Sequence, residues 1–157
     1  MKKQTLENYE QTKEKALRLL TFRAHSEKEL CDKLRMAGAK EEDIERTLEF
    51  CRRYGFVNDL QYAKSKARDL KNLKKYGKRR IEAELYSKGI SSEAVSEAVG
   101  ELEFDDDILK MLVEKKLANN FEKKSIDRCM RYFLYRGYEM SDFRNSIEEI
   151  KGETDEF

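Results

Sequence analysis

The side chains that could do chemistry are few in kind. Cys31, Cys51 and Cys129 are the only thiols and His25 is the only imidazole. No C-x-x-C pair occurs, and one histidine among three distant cysteines cannot complete a zinc site. The cysteines fall at apolar-periodic positions, so they are expected as reduced thiols in a helical core. His25 is expected as a polar residue flanking a helix. Carboxylates are abundant, but the 32 Asp and Glu alternate with 33 Lys and Arg in the manner of solvated helix faces, and no acid/base pair stands apart. G-x-x-x-x-G-K-[ST], G-x-G-x-x-G and G-x-S-x-G are all missing. These residues predict no catalysis, no metal and no cofactor. What remains is charge.

That charge is unevenly placed although its formal total is only +1. Residues 64–80 hold Lys64, Lys66, Arg68, Lys71, Lys74, Lys75, Lys78, Arg79 and Arg80 against the single acid Asp69. Lys64, Arg68, Lys71 and Lys75 follow i, i+4, i+7, i+11, the spacing of one helical flank. Such a run is either a solvated face or a contact surface. The second reading is preferred because the run lacks the i, i+4 acidic partners that solvated helices carry. The expected partner-binding set, facing phosphate or acidic surface, is Lys64, Arg68, Lys71, Lys75, Lys78, Arg79 and Arg80. Tyr76, inside the run, could stack on a base but is expected to pack. Asp105, Asp106 and Asp107 read as a helix N-terminal cap rather than as a metal or basic-partner site. Lys151 to Phe157 reads as a frayed tail.

The elements that must position these groups are helices. Proline is absent, glycine numbers seven and 41% of residues are charged, which argues for long helices and against a turn-rich β-sandwich. An internal repeat then appears. With Gly38, Gly89 and Gly137 as fixed points, apolar residues recur eight before (Leu30, Ile81, Cys129) and four before (Leu34, Leu85, Phe133). They recur again six after (Ile44, Val95, Phe143), ten after (Leu48, Val99, Ile147) and thirteen after (Cys51, Leu102, Ile150). The spacing is helical on both sides of each glycine. The glycine fits a C′ position, where a positive φ ends one helix and turns the chain into the next. Ser26-Glu27-Lys28-Glu29 matches a capping box, and Gly77 and Ser125 hold the place of Ser26 in the later repeats. Upstream helices are marked by Ala16, Leu17 and Leu20, by Leu60, Ala63, Ala67 and Leu70, and by Leu109, Leu112 and Val113. The expected fold is all-α: three tandem three-helix, helix-turn-helix-like repeats over 1–55, 56–103 and 104–157, stacked into an elongated curved array.

At this level of detail the sequence resembles the RecX regulatory proteins. Leu20, Arg23, Ser26-Glu27-Lys28-Glu29-Leu30, Lys33-Leu34 and Gly38 are similar to that family's opening repeat. Gly55-Phe56-Val57-Asn58-Asp59 with Tyr62-Ala63 resembles its junction into the second, and Gly77-Lys78-Arg79-Arg80-Ile81, Leu85 and Lys88-Gly89-Ile90 its central motif. Arg136-Gly137-Tyr138 with Phe143 fits a looser third repeat. Lys78 departs from the pattern, since family members often carry Pro there. The resemblance implies a partner, the RecA recombinase filament on single-stranded DNA, and an action upon it. That action is restraint of ATP hydrolysis, strand exchange and co-protease activity, and hence of homologous recombination, DNA repair and the SOS response.

Three function classes follow. One is a monomeric filament modulator with at most weak direct DNA binding. A second is a helix-turn-helix DNA-binding protein. Against it, Glu41-Glu42-Asp43-Ile44-Glu45 and Ser91-Ser92-Glu93-Ala94 open the third helices with acidic or small residues where base-contacting groups should sit. The third is a non-catalytic helical-repeat adaptor. No apolar run approaches a membrane span and Met1 to Glu14 lacks a signal-peptide core, so the expected compartment is the cytoplasm.

Overall fold

The computed structural model describes residues 5–155, and among them all regular structure is helical. The helices are α1 (Tyr9–Phe22), α2 (Glu27–Met36), α3 (Glu41–Arg53), α4 (Asp59–Asn72), α5 (Lys78–Ser87), α6 (Ser92–Gly100), α7 (Asp106–Leu117), α8 (Lys123–Tyr135) and α9 (Met140–Asp155). They follow one another as three sets of three. The described residues divide into two compact units, Met1–Lys66 with Glu84–Ala98 and Ala67–Ala83 with Val99–Phe157. Each unit is therefore one end repeat plus part of the middle one.

Helix boundaries follow from local chemistry. Ser26 accepts from the Glu29 amide while the Glu29 carboxylate accepts from the Ser26 amide, a complete capping box. Asn58 caps α4 through the Gln61 amide, 3.1 Å away. Asp105 caps α7 through the Asp107 amide at 3.0 Å, as the acidic run predicted. Gly38, Gly89 and Gly137 have φ of +90°, +77° and +99°. In each turn the amide of the next residue returns to the carbonyl four before the glycine: Ala39 to Leu34 at 3.0 Å, Ile90 to Leu85 at 3.3 Å, Tyr138 to Phe133 at 3.1 Å. These are Schellman turns, which satisfy carbonyls that the helix end leaves without partners.

Fourteen of the fifteen register positions are buried. In the first unit Ala16, Leu30, Leu34, Ile44, Leu48 and Cys51 form one core. In the second, Leu109, Val113, Leu117, Cys129, Phe133, Phe143, Ile147 and Ile150 form another, with the rings of Phe133 and Phe143 stacked at 6.4 Å. Burying each large side chain stabilises the fold by roughly 1.5–3 kcal/mol. The exception is Leu102: α6 stops at Gly100, so Leu102 lies beyond the helix and only half-buried. Two further expectations are corrected. Ser125 is not a cap, because α8 starts at Lys123 with Glu122 in the capping place. The tail is not frayed from Lys151, because α9 continues to Asp155, where the Thr154 hydroxyl donates to the Ile150 carbonyl; Glu156 and Phe157 lie outside the described residues.

Within each unit, the start of one repeat's second helix sits on the glycine turn of the following repeat. In the first unit the Ser26 hydroxyl donates to the Lys88 carbonyl at 2.8 Å, and a Cβ on Gly89 would stand 2.6 Å from the Cβ of Lys28. In the second, the Gly77 amide donates to the Arg136 carbonyl at 2.8 Å and the Arg79 amide to the Gly137 carbonyl at 3.2 Å. A Cβ on Gly137 would strike the Arg80 backbone. Asp59, the first residue of α4, accepts from the Glu27 amide at 2.9 Å, so the start of α2 has a second cap beside Ser26.

Glu29 ties the first junction together electrostatically. Burial alone would raise its pKa, but the Arg23 guanidinium at 2.9 Å, the Ser26 amide, the Tyr62 hydroxyl and the Lys88 ammonium at 3.5 Å outweigh it and hold the carboxyl at about 2. Burial, then Glu29, pushes Tyr62 to about 12. His25 is also buried here, and burial lowers its pKa. The neutral ring donates from Nδ1 to the Arg23 carbonyl at 2.9 Å, while Nε2 accepts from Lys33 at 2.8 Å.

Two outcomes are expected. Gly137→Ala meets both an unfavourable φ and the Arg80 backbone and should cost roughly 3 kcal/mol, whereas Gly55→Ala, at φ +72° with no neighbour in reach, should cost about 1 kcal/mol; urea unfolding of the two variants measures the difference. The folded pKa of Glu29 lies below its ordinary value of 4.5, so its contribution, on the order of 2 kcal/mol, is complete above that pH and is lost as pH falls toward 2. Thermal melts of Glu29→Gln against wild type between pH 6 and 2 should converge at the acid end.

Candidate functional site

The basic segment is less uniform than its sequence. Lys64, Arg68 and Lys71 lie on α4, but that helix ends at Asn72, and Lys75 stands in the loop with φ +57°. Lys75 is therefore not the fourth member of a helical flank. Its left-handed backbone lies three residues beyond the helix end at Asn72 and turns the chain into Tyr76 and Gly77. Lys64, in the first unit, is half-buried and pairs with Glu97 at 3.5 Å. An acidic partner thus comes from α6, where a search for i, i+4 neighbours could not find it.

The other six expected residues belong to the second unit. Arg68 is exposed. Lys71, Lys75 and Lys78 line a cleft of about 230 Å³ whose walls include Phe104, Ile108 and Tyr138, and also the carboxylates of Asp105, Asp106, Glu139 and Asp142. The Lys71 ammonium lies 5.6 Å from the Phe104 ring centre. Arg79 pairs with Glu139 at 2.7 Å. Arg80 lies over two rings, 5.0 Å from Tyr76 and 4.8 Å from Tyr135. Tyr76 packs, as expected, but its packing partners are cations.

Sequence reasoning missed the partner of this segment. Residues 74–80 are bound to the end of α8 and the turn after it. The Arg136 guanidinium donates to the Lys74 carbonyl, the Tyr138 hydroxyl donates to the Lys75 carbonyl at 2.6 Å, and Arg80 donates to the Tyr135 carbonyl at 3.5 Å. Residues 123–136 carry Lys123, Lys124, Arg128, Arg131 and Arg136 against Asp127 alone. Acids outnumber bases over the third repeat as a whole, so the basic character of α8 is visible only in a stretch one helix long.

The geometry defines a tandem three-helix-repeat protein with a strongly basic face on its second unit. Residues 13–51 match the family described as "RecX, first three-helix domain" and residues 58–99 the one described as "RecX, second three-helix domain". The chain is 37% identical over 130 residues to the regulatory protein RecX of Vibrio parahaemolyticus serotype O3:K6, covering 81% of this chain and 83% of that protein. To its counterpart in Clostridioides difficile it is 32% identical over 149 residues, covering 92% and 70%. Crystal structures of RecX from Lactobacillus salivarius (TM-score 0.77, 22% identity, 91% of this chain and 96% of that one) and of a second regulatory protein RecX (TM-score 0.81, 21% identity, 89% and 73%) share the fold. The chain belongs to the RecX family of regulatory proteins. No helix among the described residues is long and apolar enough to cross a membrane.

The two ends of α4 should respond differently to charge reversal. Lys64→Glu sets a second carboxylate against Glu97 in a half-buried place and should cost about 1 kcal/mol, while Arg68→Glu, exposed, should stay within roughly 0.5 kcal/mol of wild type. Paired thermal melts at low and high salt check this, with the Lys64 deficit shrinking as salt rises.

Proposed function

We propose that this protein binds the RecA–single-stranded-DNA filament and lowers its ATPase, strand-exchange and co-protease activities, acting by binding and not by catalysis. The observation that carries this reading is membership of the RecX family, whose curated relatives are named regulatory proteins. The basic face of the second unit supports it physically. A nucleoprotein filament presents phosphates and acidic protein surface together, and exposed lysines and arginines are attracted to either. Each contact is weak and screened by salt, so the effect comes from the set.

The helix-turn-helix alternative finds little support in the helices themselves. The first turn of α3 is Glu41, Glu42 and Asp43, and that of α6 contains Glu93, where a recognition helix would carry donors for base edges. Within the proposed contact set, Lys64 is held by Glu97 and Arg79 by Glu139, so each must exchange an intramolecular partner for the filament; Arg68, Lys71, Lys75, Lys78 and Arg80 complete the set.

Added to RecA on single-stranded DNA at up to equimolar amounts, the protein should lower the steady-state ATPase rate and strand exchange. A variant with Arg68, Lys71, Lys75 and Lys78 all changed to Glu should bind the filament at least tenfold more weakly with its circular dichroism unchanged. An ATPase rate indifferent to wild-type protein would reject the assignment, and full inhibition by the fourfold variant would reject this face.

A further inference from the structure

The two junctions of glycine turn and helix start are equivalent, yet they use the same positions for opposite purposes. Counted from the turn glycine, Glu29 and Arg80 both lie nine before, and Lys88 and Arg136 both lie one before. In the first junction, α2 contributes Glu29 and the turn contributes Lys88, and the two form an ion pair. In the second, α5 contributes Arg80 and the turn contributes Arg136, and both guanidinium groups face the ring of Tyr76, at 5.0 and 4.9 Å. An ion pair has been replaced by two like charges on one aromatic ring.

The arrangement continues outward on both sides. Arg136 also lies 5.3 Å from Tyr132, and Lys116 of α7 lies 4.0 Å from the same ring. In the other direction Arg80 reaches Tyr135. The order is Lys116, Tyr132, Arg136, Tyr76, Arg80, Tyr135, cation and ring alternating throughout. Tyr132 and Tyr76 each have two cations beside them, whereas Tyr135, at the end, is 74% exposed. Packing does not account for so open a tyrosine; its side chain leaves the core positions to Cys129 and Phe133 on the same helix. Segments 74–80 and 123–136, which supply five of the six groups, contain ten Lys and Arg and one acid.

We propose that this ladder is a binding site for an unpaired nucleic-acid strand, with the open ring of Tyr135 stacking a base and the flanking arginines and lysines taking phosphates. Stacking on an aromatic ring needs only the π-face that every base has, and cations beside the ring meet the backbone, the combination by which single strands are held without sequence preference. A duplex cannot use the site, because its bases are stacked on one another. The inference deepens the reading of the basic face given above and is separable from it, since a bare oligonucleotide contains no recombinase. Failure here would leave an effect on RecA ATPase standing, and the reverse.

The test is fluorescence anisotropy with labelled strands of about twenty nucleotides at fixed low salt. Wild-type protein should bind oligo(dT) roughly tenfold more tightly than an abasic strand with the same phosphates. Tyr135→Ala should lose that advantage while its affinity for the abasic strand stays unchanged, and Tyr135→Phe should keep it. Oligo(rU) distinguishes RNA from DNA as the strand preferred. Equal wild-type affinity for the dT and abasic strands would overturn the proposal without need of any variant, as would binding of a duplex as tight as that of oligo(dT), or a Tyr135→Ala protein that binds oligo(dT) as wild type does.

Discussion

The junctions of both units depend on a helix start lying so close to a glycine turn that the turn glycine has no room for a Cβ. A helix start leaves amides without partners and a helix end leaves carbonyls without partners. In the second unit the two sets meet: amides of Gly77 and Arg79 at the start of α5 donate to carbonyls of Arg136 and Gly137 in the turn after α8. This requires Gly137 to lack a Cβ twice over, once for its φ of +99° and once because the α5 backbone occupies that space. Gly77 faces the same constraint from the other side, a Cβ there meeting the Gly137 carbonyl. The first unit reaches the same closeness with Ser26 in place of Gly77, and there the serine hydroxyl makes the bond to the turn. The repeat can therefore vary its capping residue but not the glycine.

What surrounds that backbone contact differs between the junctions. The first is built for stability. Glu29 serves simultaneously as a capping-box residue and as the acceptor for Arg23, Tyr62 and Lys88, so a charge that burial would penalise is held by several donors. His25 beside it stays neutral and fully bonded. The second junction sets guanidinium groups around tyrosine rings instead. Their mutual repulsion is moderated by solvent, by the ring faces and by backbone carbonyls of Lys74 and Tyr135, and the outcome is a concentrated positive face with aromatic groups set into it. One scaffold position thus carries an ion pair in one repeat and a cation–ring contact in the next.

Much of this was legible in the residues alone. Helical periodicity is a local property, and the register around Gly38, Gly89 and Gly137 placed the helices and nearly all of the core, because an apolar residue repeated every three or four positions has one face to bury. The capping box at Ser26 and the acidic start of α7 were equally local. The errors were also instructive. Ser125 is an acceptable cap by type, but α8 begins a few residues earlier. Leu102 is apolar and in register, but the helix that would have buried it stops at Gly100.

The sequence by itself determined the helical repeat, its turns, its family and the presence of a basic segment, since each is written in patterns that lie within a single repeat or recur from one repeat to the next. Only the tertiary structure decided which of those charges face outward together. Lys64 meets Glu97, 33 positions along the chain, and Arg80 and Arg136 meet on one tyrosine although 56 positions separate them. Both separations are far longer than any helical i, i+3 or i, i+4 pattern can report. The first is set by how α4 and α6 come together within one repeat, the second by where the glycine turn after α8 receives the start of α5, and that is fixed by the fit of backbone against backbone.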